Sequence, residues 1–251
     1  MPHDAFDIHG RAALVTGSSR GLGRALADGL IAAGCRVVLH GRDAETLERA
    51  AAAAGAAAHV AFDVTDGEAV AAGVAAAQAA VGPLDVLVNN AGLQHRAPLE
   101  AFPEEAWRRL LDANLTSAFL VGREVARGML ERGRGKIVNV CSIQSVLARP
   151  GIAPYAASKG GLKMLTQGMC ADWGPSGIQV NGLAPGYFAT EMTRALVEDP
   201  DFDAWVRRRT PAARWGRPDE LVGALLFLAS PASDFVNGQI LFVDGGMSAV
   251  V

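Results

Sequence analysis

Seven short apolar runs, separated by helical patterns, constrain the fold of this chain more than any other feature. The runs lie near residues 12–16, 36–40, 58–62, 85–89, 136–141, 178–183 and 239–243. This alternation predicts a parallel sheet that carries helices on both faces. Helices are expected near 22–33, 43–54, 66–81, 104–131, 154–173 and 218–229, with a helical insertion at about 188–212. With 50% hydrophobic residues, the 251 residues are expected to form one domain, 1–251.

Charge, hydropathy and cysteine content narrow the possible function classes. A formal net charge of −3 gives no electrostatic reason to expect nucleic acid or an anionic membrane as a partner. No apolar run approaches the ~20 residues of a membrane span, and the first seven residues do not resemble a signal peptide. Cys35, Cys141 and Cys170 show no CxxC spacing, which favours reduced thiols and a cytoplasmic protein. The five histidines show no metal-ligand spacing, so no metal site is predicted.

A glycine-rich turn lies between the first apolar run and the first predicted helix. It reads Thr16-Gly17-Ser18-Ser19-Arg20-Gly21-Leu22-Gly23. Glycines allow the backbone to turn sharply and to approach a pyrophosphate, which the N-terminus of a helix favours. Such turns also contain glycine for steric reasons alone, but the position in the first β–α unit favours dinucleotide binding.

Tyr155 and Lys159 are four residues apart in a predicted helix, so both side chains lie on one face. A neighbouring cation is expected to lower the pKa of the phenol from about 10 toward the range useful for proton transfer. Ser142 stands upstream of the pair, where the fifth apolar run ends. A tyrosine and a lysine at this spacing are common on surface helices, and the added serine and glycine turn make the pattern specific.

Together with Asn89-Asn90-Ala91-Gly92 and Asn114, these motifs resemble the short-chain dehydrogenase/reductase family from about residue 8 to the C-terminus. The resemblance implies a single-domain, doubly wound α/β fold with a Rossmann-like, seven-stranded parallel sheet. It also implies hydride transfer between a nicotinamide ring and a carbon bearing oxygen. Proton transfer is then assigned to Tyr155, while Lys159 lowers its pKa and holds the nicotinamide ribose. Ser142 would hydrogen-bond the substrate oxygen.

For Asn114 the resemblance implies a backbone distortion that positions a water for a proton relay through Lys159. Taken alone, Asn114 is as well explained by a solvent-facing position in the helix 104–131. His40 and His95 are the histidines near strand ends that could serve as a rival general base.

The resemblance implies a set of cofactor contacts at the ends of the strands. Asp63 and Val64 would bracket the adenine, and the loop after the sixth strand would contact the nicotinamide side and the pyrophosphate. The predicted cofactor-binding residues are Gly17, Ser19, Arg20, Gly21, Leu22, Gly23, His40, Gly41, Arg42, Asp63, Val64, Asn90, Ala91, Gly92, Tyr155, Lys159, Pro185, Gly186, Phe188 and Thr190.

Cofactor choice depends on the end of the second strand. His40 or Gly41 stands where an acidic residue would select NAD, and Arg42 follows. Arg42 and Arg20 match a dianionic 2′-phosphate, so NADP(H) is preferred, with NAD(H) still possible. Alternatively, Arg42 is merely exposed and Asp43 is the selecting acid, although we interpret Asp43 as the N-cap of the next helix.

The segments 141–145, 147–155 and 184–193 are most similar to the gluconate 5-dehydrogenases of the family, which implies a keto or hydroxy sugar acid as substrate. Arg96 could pair with the carboxylate, unless it is a solvated surface arginine. His95 and Val146 depart from the pattern, which has arginine and an acidic residue there. The predicted substrate residues are Arg96, Ser142, Gln144, Tyr155 and Tyr187.

Two other functions remain open at this point. One is reduction of another ketone, either a different keto-aldonate or a 3-oxoacyl thioester. The other is a regulator that binds NADP without turnover, which the intact Tyr155, Lys159 and Ser142 set disfavours. The resemblance also implies a homotetramer, in which the apolar C-terminal run 239–251 packs against a neighbouring subunit unless it folds back onto its own core.

Overall fold

The computed structural model describes residues 4–250 and contains one sheet of seven parallel strands. The strands are β1 (Ala12–Val15), β2 (Arg36–Gly41), β3 (Ala58–Ala61), β4 (Val86–Asn89), β5 (Gly135–Val140), β6 (Ile178–Pro185) and β7 (Ile240–Val243). Their order across the sheet is β3-β2-β1-β4-β5-β6-β7. Parallel neighbours require crossover connections, and these place helices on both faces. The predicted fold class is confirmed.

The helices fill the connections between the strands. They are α1 (Gly21–Ala32), α2 (Ala44–Ala54), α3 (Gly67–Val81), α4 (Glu104–Leu111), α5 (Ser117–Arg132), α6 (Ala153–Trp173), α7 (Arg194–Val197), α8 (Pro200–Arg209) and α9 (Val222–Ala229). Within residues 4–250, no helix combines the length and the apolar character needed to cross a bilayer.

Strand β1 is apolar at every position because both faces of the sheet are covered. In β1, Ala13 and Val15 belong to the core that packs against α1, α2 and α9. Ala12 and Leu14 belong to the core on the opposite face, against α3, α5 and α6. All four are fully buried. Alternation of side chains along a strand therefore supplies two cores from one continuous apolar run.

The strand order places a crevice between β1 and β4. Connections run in one direction along the sheet from β1 to β3 and in the other from β4 to β7. At such a switch point the loops after the two central strands separate, and ligands of open α/β sheets bind there. The glycine turn follows β1 and Asn90 follows β4, so both lie at this crevice.

Two helical predictions differ from the structure in detail. The predicted helix 104–131 is divided into α4 and α5 by a π-helical turn at Asp112–Thr116. The insertion expected at 188–212 consists of a 3₁₀ turn at Glu191–Thr193 followed by α7 and α8. Asp199 caps α8 by accepting from the backbone of Asp201 and Phe202, and Pro200 occupies the first helical position.

Candidate active site

The glycine turn adopts a conformation that requires glycine. Gly17 and Gly21 have φ values of +63° and +61°, in the left-handed region. At Gly23 a Cβ atom would lie 2.3 Å from the carbonyl oxygen of Gly17 and 2.3 Å from Nδ2 of Asn90. The three glycines therefore give a tight turn in which α1 begins directly against the loop after β4.

Side chains at the ends of β1 and β4 hold this turn in place. Asn90 donates from Nδ2 to the carbonyl oxygens of Thr16 (2.9 Å) and Gly17 (3.0 Å). Oγ1 of Thr16 accepts from the backbone N–H groups of Asn90 (2.9 Å) and Ala91 (3.0 Å). Thr16 is not among the site residues predicted from sequence, although its position directly after the first apolar run was a signal for such a role.

The first turn of α1 fits the pyrophosphate of a dinucleotide. Its N-cap residue, Arg20, makes no side-chain capping bond, and the first turn contains no acidic residue. A Cβ atom at Gly21 would meet nothing within 4 Å, so the space beside it is open. Backbone N–H groups and the positive end of the helix dipole thus face open space, which is what an anionic pyrophosphate needs.

His40 stabilises the glycine turn from the protein interior. This position differs from the prediction, which placed His40 in contact with the cofactor. Its side chain is 2% exposed. Nδ1 accepts from the Gly17 N–H (3.0 Å), which leaves Nε2 to donate to the carbonyl oxygen of Phe62 (3.0 Å). Burial lowers the pKa of His40 to about 4. A neutral imidazole with both nitrogens bonded has no atom left for a phosphate or for general base catalysis.

Arg42 and Arg20 both lie at the surface of the crevice, but in different settings. Arg42 is exposed and makes no ion pair within residues 4–250. Arg20 is 3.9 Å from Glu191 in the loop after β6, and its side chain is 78% exposed. Asp43 accepts from the Thr46 N–H at 2.7 Å as the N-cap of α2, as predicted. Its carboxylate therefore has a structural function.

The remaining predicted cofactor residues divide into surface and interior positions. Asp63 is exposed and accepts from the backbone and hydroxyl of Thr65, which lowers the pKa of its carboxyl group. Val64 and Phe188 are buried, so their side chains belong to the core. Three residues at the glycine turn are partly exposed, namely Ser19, Leu22 and Gly41. Gly92 is exposed and follows β4. Pro185 ends β6, and Gly186 and Thr190 lie in the loop after it.

Helix α6 brings Tyr155 and Lys159 to the end of β5, close to Ser142. Nζ of Lys159 is 5.8 Å from the centroid of the Tyr155 ring and donates to the carbonyl oxygen of Val140 at 2.7 Å. Burial lowers the pKa of the Lys159 ammonium to about 8. The 3₁₀ turn Ile143–Ser145 begins at Ser142, whose hydroxyl accepts from the Gln144 N–H at 3.2 Å.

The pKa of Tyr155 moves in the direction opposite to the one predicted. Burial raises the pKa of the phenol, and the influences that oppose burial come from the Ser142 hydroxyl and the charge of Arg96. The phenol therefore keeps its proton at neutral pH, which is the form that a general acid needs in the reduction of a ketone.

Asn114 lies in the π-helical turn and is 1% exposed, which excludes a solvent-facing position. Oδ1 accepts from the Leu93 N–H (2.7 Å), and Nδ2 donates to the Leu93 carbonyl (3.0 Å) and to Oγ of Ser158 (3.1 Å). The backbone distortion implied by the resemblance is present. Asn114 thereby joins the loop after β4 to the helix that carries Tyr155 and Lys159.

Aromatic and basic side chains cover the substrate side of the crevice. Tyr187 packs edge-on against Phe202, Trp205 and Trp215, with ring centroids 5.6–5.7 Å apart. Arg149 lies over the ring of Phe202, at 5.1 Å from the centroid. Arg96 and Arg149 line one open cleft beside this cluster. His95 stacks on Phe102 instead, with centroids 5.0 Å apart.

Comparison with known proteins gives the family of this chain. A family model described as enoyl-(acyl carrier protein) reductase matches residues 17–248. The gluconate 5-dehydrogenase of Gluconobacter oxydans is 58% identical over 253 residues, which cover 99% of each chain. The chain belongs to the short-chain dehydrogenase/reductase family.

Two other members of the short-chain dehydrogenase/reductase family show the same relationship. The 5-keto-D-gluconate 5-reductase of Escherichia coli strain K12 is 51% identical, with 99% of this chain and 100% of that protein covered. A crystal structure of a gluconate 5-dehydrogenase from Burkholderia cenocepacia, in complex with NADP and tartrate, is 55% identical. It superimposes with a TM-score of 0.96 over 100% of both chains.

Within this short-chain dehydrogenase/reductase, most of the predicted site residues lie at the ends of β1, β4, β5 and β6. Arg149, Phe202, Trp205 and Trp215 are not among the residues predicted from sequence and pack near Tyr187 only through the fold. For Arg149 one signal was available, because an arginine lies between Ser142 and Tyr155 in the chain. No comparable signal marked the aromatic residues.

Proposed function

We propose that this protein is an NADP(H)-dependent gluconate 5-dehydrogenase that interconverts D-gluconate and 5-dehydro-D-gluconate. The observation that carries the proposal is that Tyr155 lies beside the Ser142 hydroxyl and within electrostatic reach of Arg96, which lines an open cleft together with Arg149. Proton transfer and carboxylate binding are the two requirements of a keto sugar acid reductase. The names of the relatives support the same substrate class.

The bound nicotinamide cofactor supplies or accepts the hydride. In reduction, the Tyr155 hydroxyl donates its proton to the substrate oxygen while the carbonyl carbon receives the hydride, so ketone becomes alcohol. The Ser142 hydroxyl would donate a hydrogen bond to that oxygen as negative charge develops on it. Lys159, on the same helix as Tyr155, would hold the nicotinamide ribose. The setting of these groups strengthens the interactions, because Lys159 is buried and Tyr155 is partly buried.

The cofactor would lie across the crevice between β1 and β4. The first turn of α1 would hold the pyrophosphate through its backbone N–H groups. The exposed guanidinium of Arg42 would pair with the 2′-phosphate, which supports NADP(H) over NAD(H). NADP in the Burkholderia structure is consistent with this preference.

At the other end of the substrate, Arg96 would bind the carboxylate. The guanidinium is near Tyr155 and Tyr187, and burial lowers its pKa. Residues 188–212, with α7 and α8, would form the substrate loop of a single catalytic domain. Gln144 and Tyr187 would contact the substrate hydroxyls.

A substrate screen tests this proposal. We expect kcat/KM for NADPH oxidation to be highest with 5-keto-D-gluconate, lower with 2-keto-D-gluconate and lowest with a 3-oxoacyl thioester. Preference for the thioester would replace the proposal with the second candidate reaction. Absence of NADPH oxidation with all three would favour a binding-only regulator.

We further infer a homotetramer in the cytoplasm. Several large side chains are exposed on helices, among them Trp107, Phe119 and Met164, which supports burial against other subunits. Free thiols at Cys35, Cys141 and Cys170 support a reducing compartment. Light scattering at micromolar concentration should give a mass near four times 26.0 kDa. A monomer mass would contradict the assembly, and fractionation of the host cell tests the location.

A further inference from the structure

Arg149 is an arginine of the substrate cleft whose charge the protein itself does not neutralise. It lies between the 3₁₀ turn Ile143–Ser145 and α6, and it lines the cleft together with Arg96 and Glu100. Across residues 4–250, no carboxylate comes within 4 Å of either arginine, so Glu100 does not pair with them. The Arg149 guanidinium makes a 3.5 Å contact from Nη1 to the Pro150 carbonyl and lies beside the Tyr187 hydroxyl.

The guanidinium of Arg149 is nevertheless held in place. It lies over the ring of Phe202 at 5.1 Å from the centroid, and Phe202 packs against Tyr187 and Trp205. A guanidinium group that lies over an aromatic ring loses water on the face toward the ring. The N–H groups at its edge stay available for hydrogen bonds. Arg149 is thus preorganised, so a ligand that binds it would not need to order a flexible side chain.

Three polar atoms in the loops after β5 and β6 are buried without a hydrogen bond in the described part of the chain. They are Nε of Arg149, the hydroxyl of Tyr187 and Oε1 of Gln144. The Arg149 guanidinium and the Tyr187 ring both pack against Phe202, so these two side chains lie beside each other. The fourth such atom, Nε of Arg132, belongs to an arginine that bonds the carbonyl of Leu84 just before β4.

Arg149 and Arg96 also act on each other electrostatically. The charge of Arg149 lowers the pKa of Arg96 further than burial alone does. Both charges also act on the Tyr187 phenol, and Arg96 acts on Tyr155. Two like charges without a counterion repel, and an anion bound between them removes that repulsion. A carboxylate offers two oxygens for the two guanidinium groups.

We propose that Arg149 and Arg96 form a two-arginine clamp for the substrate carboxylate, and that Arg149 sets the preference for keto acids over neutral ketones. This inference rests on the proposed function and deepens it. The exposed edge of the Arg149 guanidinium donates to one carboxylate oxygen, and the edge of Arg96 binds the other.

The test compares an acid with its neutral counterpart. L-sorbose is 5-keto-D-gluconate with a hydroxymethyl group in place of the carboxylate. We expect Arg149→Met to lower kcat/KM for 5-keto-D-gluconate by about 30-fold or more, mainly through KM, and to change kcat/KM for L-sorbose less than about 3-fold. Arg149→Lys keeps the positive charge but cannot donate two parallel hydrogen bonds to a carboxylate, so it should recover part of the loss. An equal loss on both ketones would overturn the proposal.

Tartrate binding to the enzyme–NADP⁺ complex gives a readout that does not depend on the identity of the substrate. We expect its Kd to rise about 10-fold or more in Arg149→Met and in Arg96→Met. It should be unchanged in Arg49→Met, a matched loss of a surface arginine that pairs with Glu45 on α2. Unchanged tartrate binding in Arg149→Met would refute the clamp. If wild type reduces only a different ketone, the proposed function fails while the tartrate measurement still decides the clamp.

Discussion

The cofactor side and the substrate side of the crevice differ in how completely their polar groups are bonded within the protein. Around the glycine turn, Thr16, His40 and Asn90 use their side chains for hydrogen bonds to neighbouring backbone. On the proposed substrate side, Gln144, Arg149 and Tyr187 keep buried polar atoms without a hydrogen bond to any residue within 4–250. The cofactor side is therefore rigid before binding, whereas the proposed substrate side keeps unused hydrogen-bonding capacity.

This comparison also explains which side could be read from the sequence. Rigid backbone geometry at a turn demands particular residues, and glycine at positive φ is visible as a motif. A polar group that binds a ligand needs only a suitable side chain at one point in space. Several positions in the chain can supply such a side chain, so no sequence motif marks it.

The largest expected effect concerns Tyr155, the proposed proton donor, which acts on the substrate while the cofactor is bound. Tyr155→Phe removes the hydroxyl and should lower kcat by about 100-fold or more, because no other group donates the proton. NADPH affinity, measured by fluorescence titration, should change little. Tyr187 is the other tyrosine of the chain, so Tyr187→Phe is the matched control and should lose far less. Near-wild-type turnover in Tyr155→Phe would refute the assignment.

Cofactor preference tests whether the rigid side also selects its ligand. Arg42→Asp replaces a phosphate partner with a repelling charge and should cost about 2–3 kcal/mol in the preference for NADP over NAD. The ratio of kcat/KM for the two cofactors measures it. Arg20→Asp should have the smaller effect because Arg20 already lies near Glu191. An unchanged ratio in Arg42→Asp would show that Arg42 is solvated.

The stability of the rigid side should depend on pH through His40. Its pKa is about 4 in the folded protein, against 6.5 for the ordinary side chain, so the unfolded chain binds the proton first as pH falls. Stability is then complete above pH 6.5 and is lost on acidification, by about 2 kcal/mol between pH 6.5 and 5.

Chemical denaturation over that range measures this loss. His40→Asn should flatten the dependence, although its stability at pH 7 is lower because the bonds to Gly17 and Phe62 are weakened. His59→Asn changes an exposed histidine and should keep the wild-type slope. A slope that persists in His40→Asn would assign the effect to other groups.

The smallest effect concerns Lys159, whose ammonium is buried. Its pKa is lowered to about 8, so burial costs the charged form free energy although that form still predominates at neutral pH. Lys159→Met removes that cost but leaves the Val140 carbonyl without its donor, so a net gain of about 1 kcal/mol is expected together with loss of activity. Thermal unfolding of the cofactor-free protein measures the gain, with Lys163→Met on the same helix as control. A lower Tm in Lys159→Met would contradict the argument.

Sequence reasoning located the strands, the glycine turn and the catalytic helix because apolar periodicity and glycine spacing are local signals. The distortion at Asn114 followed from the family resemblance and not from periodicity, since a π-helical turn keeps nearly the same helical periodicity as its flanks. Sequence reasoning placed His40 at the cofactor because the order of residues does not show which way a strand residue points. Arg149 and Phe202 lie far apart in the chain, and the contact that pairs them exists only in the fold.

Tyr155 and Lys159 share one helix, and that helix is bonded to its surroundings through Ser158 and the backbone of Lys159. The groups that would recognise the substrate belong instead to separate loops, which follow β4, β5 and β6. Natural variation can therefore exchange these loops one at a time, while the proton donor and its lysine stay in register. New substrates become accessible to such a scaffold through changes that leave its chemistry intact.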